Sequence, residues 1–426
     1  MKGNNSANFA LNTAKKLKPL LIKCLPISLL RRVKKLFVNR AAKKLRNAPE
    51  RLPFSRSANP DGVNLIGFVR GEMGLGQSCR LVAHGLSVAD IPFTVYNYEQ
   101  ISTARQSDNT LKRDITNTTP YNVNIIHINP YELPLAYVRL GDEVWNRRYN
   151  IVYWLWELEK FPPEWESSLL LADEIWTPTE FVSKSIRGST DKPICTIPYA
   201  LSIPPLEGYG REHFNLPSDK ILFLCMYDCS SVMERKNPLG AISAYKKAFA
   251  DNSETGLVIK VNNPQEDELQ RIQAELMGYP NIYIIAEVLE KSKLNALIAC
   301  VDVYVSLHRA EGFGLVPAEA MLSGTPVVAT NWSANTEFMN NNIACMVDYK
   351  LITIEKDCGH FRAGNRWADP DIHQAAEYMR RLNSDEDFRT DLSRKAKEHI
   401  TKQFDPVIIA ELMRSRILEI YKEYTS

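Results

Sequence analysis

At 426 residues, the chain is too long for one ordinary compact core and points to two domains with extensions. With 45% apolar and 24% charged residues, it has the composition of a soluble globular protein, and no apolar run approaches the roughly 20 residues needed to span a bilayer. The net charge of +2 hides an asymmetry: residues 1–60 hold fifteen Lys or Arg against Glu50 alone, so this stretch carries +14 and the remainder −12. Eight scattered cysteines with no C-x-x-C pair argue against a zinc site or a disulfide framework, and suit buried thiols in a reducing cytosol.

Residues 1–13 are polar and read as disordered. From Lys15 to Arg46, Ile27, Leu29, Leu30, Val33, Leu36, Phe37, Ala41 and Leu45 recur at near-helical spacing, with Arg31, Arg32, Lys34, Lys35, Lys43 and Lys44 between them. Such a helix can lay its apolar side into the headgroup boundary while its cations meet anionic lipid, at about 1 kcal/mol each. An anionic membrane surface met through residues 15–46 is the expected partner; a helix packed on its own protein or on another is the alternative. An Arg-rich transit peptide also fits, whereas charges interrupt any signal-peptide core. Aromatic residues for stacking on bases are nearly absent here, so no nucleic acid is expected.

Residues 47–60, with Pro49, Pro53 and Pro60, read as a linker. The first domain, residues 59–204, opens with a strand at 63–67. Gly71, Gly74 and Gly76 then form a glycine-rich turn before a helix expected to begin near Gln77, a weak signal when it stands alone. Strands are expected at 91–96 and 122–128. His127 ends the second as a general base, a wall residue or a half-buried histidine. Residues 150–158, NIVYWLWEL, are the most aromatic stretch. Trp154 and Trp156 can stack on sugar faces or pack in a core, and Glu157 can contact or deprotonate an acceptor hydroxyl. Strands at 173–178 and 193–200 complete this domain, and Pro204 and Pro205 mark the hinge.

The second domain, residues 205–403, starts with a strand at 221–227, a loop carrying Arg235, Lys236, Asn237 and Pro238, and a helix through Phe249. Strands at 257–261 and 282–285 follow, and a helix at 294–300 leads into the most informative stretch. There Val301, Val303, Tyr304 and Val305 read as a buried strand, and Gly312 and Gly314 let the backbone turn close to a ligand. Pro317 suits the first turn of a helix and Gly324 stops it. Glu311 in the loop and Glu319 at the helix start can face one pocket at the carboxyl end of a parallel sheet. Free N–H groups at a helix start attract anions, and carboxylates accept hydrogen bonds from sugar hydroxyls. The ligand suggested is part phosphate and part sugar; an ordinary strand-to-helix turn with a solvated Glu311 is the plainer reading. Residues 404–426 form a terminal amphipathic helix.

Glu311, Gly312, Phe313, Gly314 and Glu319 resemble the E-x7-E motif of retaining glycosyltransferases of family 4, which have the GT-B fold. The resemblance spans roughly residues 60–426 and is strongest at 221–249 and 301–337. It implies an α/β fold class of two Rossmann-like domains facing a central cleft, preceded by the basic amphipathic extension of residues 1–58. The terminal helix would cross back to the first domain. The implied activity is that of a metal-independent hexosyltransferase, which passes sugar from a nucleotide-diphosphate sugar to an acceptor hydroxyl with retention and without a cofactor.

Lys236, with Arg235, stands where the family puts a donor-phosphate lysine, and fixed cations there meet the charge gained by the departing diphosphate. The N–H groups of Gly312, Phe313, Gly314 and Leu315 would share that task. By the same resemblance Glu311 would hold the donor sugar, Glu319 the ribose, and the backbone of 286–289 around Val288 the base. Gly74 and Gly76 resemble the family's first loop, which faces donor phosphates and acceptor. The expected catalytic set is Glu311, Lys236 and Glu157; retaining chemistry leaves open whether Glu311 is also a nucleophile. The family's active-site histidine has no counterpart, since Trp154, Trp156 and Glu157 stand there, and its upstream arginine is missing from DCSSVME. Asp369, Pro370 and Asp371 spell the D-x-D of metal-dependent glycosyltransferases but fit a helix cap, and no metal is expected.

His308, Arg309, Ala310, Glu311 and the WEL segment resemble a bacterial surface-polysaccharide, mannosyltransferase-like subgroup. This implies a glycan or lipid-linked glycan acceptor, as in lipopolysaccharide synthesis, with GDP-mannose as the named donor. The expected location is cytoplasmic, peripheral on the inner face of the cell membrane. A catalytically silent GT-B scaffold of a polysaccharide assembly complex is the rival; intact Glu311, Lys236 and Glu319 count against it, and the missing histidine counts for it. An NAD-dependent oxidoreductase would need a G-x-G-x-x-G spacing that GEMGLGQ does not supply.

Overall fold

The short apolar runs of the sequence pair side by side as parallel strands, and helices cover both faces of each sheet. The computed structural model describes residues 27–99, 105–204, 208–249 and 254–424; residues 1–26 of the expected arm and Pro205 of the expected hinge lie outside them. In chain order come α1 (Ile27–Arg46), β1 (Val63–Gly67), α2 (Gly74–Val88), β2 (Phe93–Asn97), β3 (Val123–His127), α3 (Leu133–Leu140) and β4 (Tyr149–Tyr153). A 3-10 stretch (Pro163–Leu171), β5 (Glu174–Thr177), α4 (Glu180–Arg187) and β6 (Ile194–Thr196) complete the first half. The second half holds β7 (Ile221–Asp228), α5 (Met233–Lys236), α6 (Pro238–Ala248), β8 (Thr255–Asn262), α7 (Glu266–Leu276), β9 (Ile282–Ile285) and α8 (Lys291–Cys300). It continues with β10 (Val303–Ser306), α9 (Leu315–Ser323), β11 (Val327–Thr330), β12 (Cys345–Val347), β13 (Tyr349–Thr353) and β14 (Arg366–Pro370). Three helices end the chain: α10 (Ile372–Ser384), α11 (Glu386–Gln403) and α12 (Pro406–Glu423).

The first sheet runs β2-β1-β3-β4-β5-β6 and the second β12-β11-β10-β7-β8-β9, with every strand pair parallel. In β1, β3, β4 and β5 every residue is buried, as in strands covered on both faces. These are two Rossmann-like domains, as expected. In the second sheet the strand order reverses between β7 and β10. Beyond the carboxyl ends of strands at such a reversal is where ligands of open parallel sheets bind. Residues 229–237 leave β7 and residues 307–314 leave β10, so Lys236 and Glu311 meet although they lie far apart in sequence.

The terminal helix α12 crosses back to the first domain. Arg416 reaches the buried Glu174 of β5 at 2.7 Å, and Tyr421 Oη accepts from Gly62 N at 2.9 Å. A methyl group at Gly85 of α2 would stand 2.7 Å from Met413 Sδ, so α2 and α12 pack closely there and alanine would require the end of the Met413 side chain to shift.

At the other end, Val38, Ala41, Ala42 and Leu45 of α1 are buried against α3 and the 3-10 stretch, and Lys34 pairs with Glu132. This part of the arm therefore lays its apolar side on its own protein, because α3 presents an apolar surface that would otherwise face water. Val33 and Leu36 remain exposed. The expected linker is also packed: Arg51 pairs with Asp173 at 2.9 Å and Phe54 meets the Tyr149 ring edge-on at 5.7 Å. No helix among the described residues is long and apolar enough to cross a membrane.

The antiparallel ribbon β13–β14 was not foreseen. Its connecting loop carries Phe361 onto Trp156, stacked at 5.5 Å, and Arg362 onto Glu164 at 2.8 Å, while Arg366 of β14 reaches Glu159 at 3.3 Å. The second domain thus grips the aromatic stretch of the first.

Candidate active site

Beyond the β7–β10 reversal lies a cluster of opposed charges. After β7 the chain makes the single turn α5, and Asn237, at φ 51°, caps α6 by accepting from Gly240 N at 3.2 Å. Asn237 Nδ2 donates to Leu307 O at 2.8 Å and Arg309 N to Arg235 O at 2.7 Å, so this turn is stitched to the segment after β10. Lys236 Nζ consequently lies 2.5 Å from Glu311 Oε1. Arg235 stands between two carboxylates, 3.4 Å from Glu311 Oε2 and 3.7 Å from Glu157 Oε1. Its guanidinium donates to Ala310 O and Ser231 Oγ and lies over the Phe361 ring at 5.7 Å.

Glu311 is buried, and its own N–H donates to Ser333 Oγ at 2.8 Å. Burial alone would push its carboxyl up, but Lys236 and Arg235 hold it down, to about 2. The carboxylate therefore stays ionised and can only accept hydrogen bonds. His308 braces the same loop through Ser306 Oγ and Asn335 Oδ1, and burial keeps it neutral.

The next residues lead into α9. Gly314, at φ 96°, is the N-cap of α9 with no side-chain cap bond, which leaves the first-turn N–H groups for another partner. Gly312 presses against the first domain: a Cβ there would stand 3.0 Å from Trp156 O, and its carbonyl accepts from Thr179 Oγ1 at 3.1 Å. The Phe313 side chain is buried against Tyr199, Phe338 and Phe404, and Leu315 is partly buried. Glu319 lies in the second turn of α9, not at its start, because the helix begins at Leu315 ahead of Pro317. It is 5% exposed and pairs with Lys291 Nζ at 2.5 Å.

Gly74 and Gly76 also shift from their expected place: both belong to the first turn of α2, not to a loop before Gln77. A Cβ at Gly76 would collide with Gly71 O at 2.0 Å, whereas the space around Gly74 is open. Arg80, which sequence reasoning missed, shapes this turn by donating to Val69 O at 2.7 Å and Gly71 O at 3.1 Å. Asn262 Nδ2 donates to Glu72 O at 3.3 Å and so ties the turn to the end of β8. Val288 lines a pocket of about 220 Å³ with Glu287, Glu290 and Lys293, and Arg105 reaches it from the first domain. Beneath that loop the buried Lys260, pulled down to about 8 by burial, donates to Glu287 O at 2.7 Å.

His127 does not line the cleft. It is fully buried, 2.6 Å from Ser78 Oγ and stacked on Tyr153, and burial pushes it down to about 4. Asp371 caps α10 by accepting from His373 N and Gln374 N, and Asp369 pairs with Arg309 at 2.9 Å. The structure thus gathers Lys236, Arg235, Glu311 and Glu157, and separately joins Glu319 to Lys291.

Residues 211–399 match the family described as glycosyl transferases group 1. A phosphatidyl-myo-inositol mannosyltransferase of Mycolicibacterium smegmatis is 33% identical over 132 residues, 31% of either chain. The chain spans about a third of the length of the curated relatives it matches. Among solved structures, sucrose-phosphate synthase of Thermosynechococcus elongatus superposes with a TM-score of 0.61 at 15% identity, covering 88% of this chain and 100% of that one. Anabaena HepE, crystallised with UDP and glucose, gives 0.58 at 13% identity, covering 84% and 100%. Likeness at such identities shows the fold, which is GT-B. Together with the sequence match it supports a GT-B glycosyltransferase.

Proposed function

We propose that the chain transfers a sugar from a nucleotide-diphosphate sugar to a hydroxyl of a glycan or lipid-linked glycan, with retention and without a metal, in bacterial surface-polysaccharide synthesis. The observation that carries this reading is the Lys236–Glu311–Arg235 cluster at the strand-order reversal, faced by Glu157 of the other domain. Lys236 and Arg235 offset the charge that develops on the leaving diphosphate, in a site already shielded from water. Glu311, kept ionised, accepts hydrogen bonds from donor-sugar hydroxyls. Glu157 is placed to orient the acceptor hydroxyl. The open space at Gly74 admits the substrate between the domains, and Val288 offers backbone groups to the base.

The mannosyltransferase match supports mannose, hence GDP-mannose, and the likeness to a UDP-bound structure supports UDP; a direct comparison decides. In a thermal-shift panel of UDP, GDP, ADP and their sugar conjugates, one nucleotide family raises Tm. Glu319→Ala weakens that shift, since losing a hydrogen bond to a charged acceptor costs about 1.5–3 kcal/mol, roughly ten- to a hundredfold in affinity. A wild-type protein indifferent to all of them has no donor site, and the silent scaffold then stands in its place.

The reading extends to an anionic membrane at the inner face of the cell membrane. Its support is the +14 of residues 1–60 and the exposed Val33 and Leu36 on α1. Binding to liposomes with anionic lipid falls as salt rises, and falls further when residues 1–32, which precede the docked part of α1, are removed. Equal, salt-insensitive binding of both forms refutes the electrostatic contact.

A further inference from the structure

We propose that Lys291 is a positioning residue of the donor site: it holds one carboxylate oxygen of Glu319 so that the other is aimed at the nucleotide's ribose. This rests on the donor-site reading above. Lys291 is the first residue of α8, and it lies 2.5 Å from Oε1 of a carboxylate that is 5% exposed. Oε2 has no hydrogen-bond partner among the described residues and is left to accept from a ligand. Arg80 of the first domain feels the Glu319 charge, but its guanidinium is committed to Val69, Gly71, Gln77 and Asp108. Lys291 is thus the cation that fixes the carboxylate.

Its place in the chain gives the pair a second role. The loop containing Val288 ends where α8 begins, and Lys260 holds that loop from below through Glu287 O. The Lys291–Glu319 pair therefore joins the loop expected to meet the base to the helix expected to meet the ribose. A base seated on the loop then finds the ribose acceptor at a set offset. Without Lys291 the carboxylate is free to rotate, and it stops discriminating a hydroxyl from a hydrogen.

A salt bridge that only pins α8 to α9 would lower Tm when broken and leave ligand discrimination unchanged. Calorimetric titration separates the two roles. The ligands are the nucleoside diphosphate that binds among UDP, GDP and ADP, and its 2′-deoxy and 3′-deoxy forms. The wild type prefers the ribonucleotide over at least one deoxy form by about tenfold or more. Lys291→Met reduces that preference to within about threefold, and Lys291→Arg restores most of it; Lys291→Gln serves if the methionine variant does not fold. A methionine or glutamine variant that keeps the wild-type preference overturns the proposal. So does a wild type that binds nucleotide without distinguishing the deoxy forms, which leaves the donor site itself standing. Failure of the wild type to bind any of the three diphosphates removes the donor site and the proposal together.

Discussion

Lys236→Ala lowers sugar transfer by about 10²–10³-fold, the loss seen when one fixed group that stabilises transition-state charge is removed. Lys236 Nζ is 2.5 Å from Glu311, and with Arg235 it supplies the cations beside that carboxylate. Most of its value arises as the sugar–phosphate bond breaks, so the rate at saturating donor falls more than the donor's affinity. The substitution has a second consequence. Glu311 then keeps Arg235, at 3.4 Å, as its main counter-charge, and burial pushes its carboxyl up from about 2. Wild-type Glu311 is ionised across the whole working range, whereas the variant's residual activity declines as pH falls, because a protonated carboxyl no longer accepts from the sugar hydroxyls on both oxygens. The measurement is initial rate against pH with the donor identified by the nucleotide panel. Transfer within threefold of wild type removes Lys236 from the mechanism. A lost rate with a flat pH profile would keep Lys236 and detach Glu311 from it.

The sequence displays what repeats locally and conceals what pairs at a distance. The strands at 63–67, 123–127 and 221–228 were legible because parallel strands covered on both faces are nearly continuous apolar runs, with Asn64 and Asn124 as interruptions. Glu311 and Lys236 stood out by resemblance, and the reversal of strand order between β7 and β10 is the physical reason they meet. Lys291 left no local mark, since its partner is 28 residues away on another helix. The β13–β14 ribbon escaped because two short strands with mixed burial carry no alternation stronger than that of a loop. Helix starts moved for backbone reasons. Gly74 and Gly76 suggest a loop by composition yet accept helical geometry, and the left-handed Gly314 starts α9 at Leu315, which leaves Glu319 in its second turn. For α1, helical periodicity reports an apolar face but not what covers it. Lipid and protein demand the same spacing, and from Val38 to Leu45 the cover is α3 and its neighbours.

Arg416→Ala destabilises the protein by about 3–5 kcal/mol, the cost of leaving a buried charge without its partner. Glu174 on β5 has no exposed side-chain surface, and Arg416 bonds both of its oxygens, Oε1 at 3.0 Å and Oε2 at 2.7 Å. Tyr149 and Trp176 also donate to the carboxylate, but neither brings charge. Burial alone would raise the Glu174 carboxyl; Arg416, with Trp176, holds it below the usual range. Because the folded-state value is depressed, the stabilisation is present above about pH 4.3, the unfolded glutamate value, and is lost as pH falls through the folded one. In the variant the sign reverses. Glu174 titrates above the ordinary range, and its penalty, full at neutral pH, fades as acid protonates it. Urea unfolding at pH 7 therefore separates Arg416→Ala from wild type more widely than unfolding at pH 4.5. Arg394→Ala, which breaks exposed pairs with Asp391 and Glu398, leaves stability nearly unchanged and serves as the control. The pair Glu174→Gln with Arg416→Met recovers much of the loss, since no buried charge is left unmatched. A loss under about 1 kcal/mol for Arg416→Ala at neutral pH would show that α12 is held by the packing of Met413 and Tyr421 alone, and that the crossing back to the first domain does not depend on the ion pair.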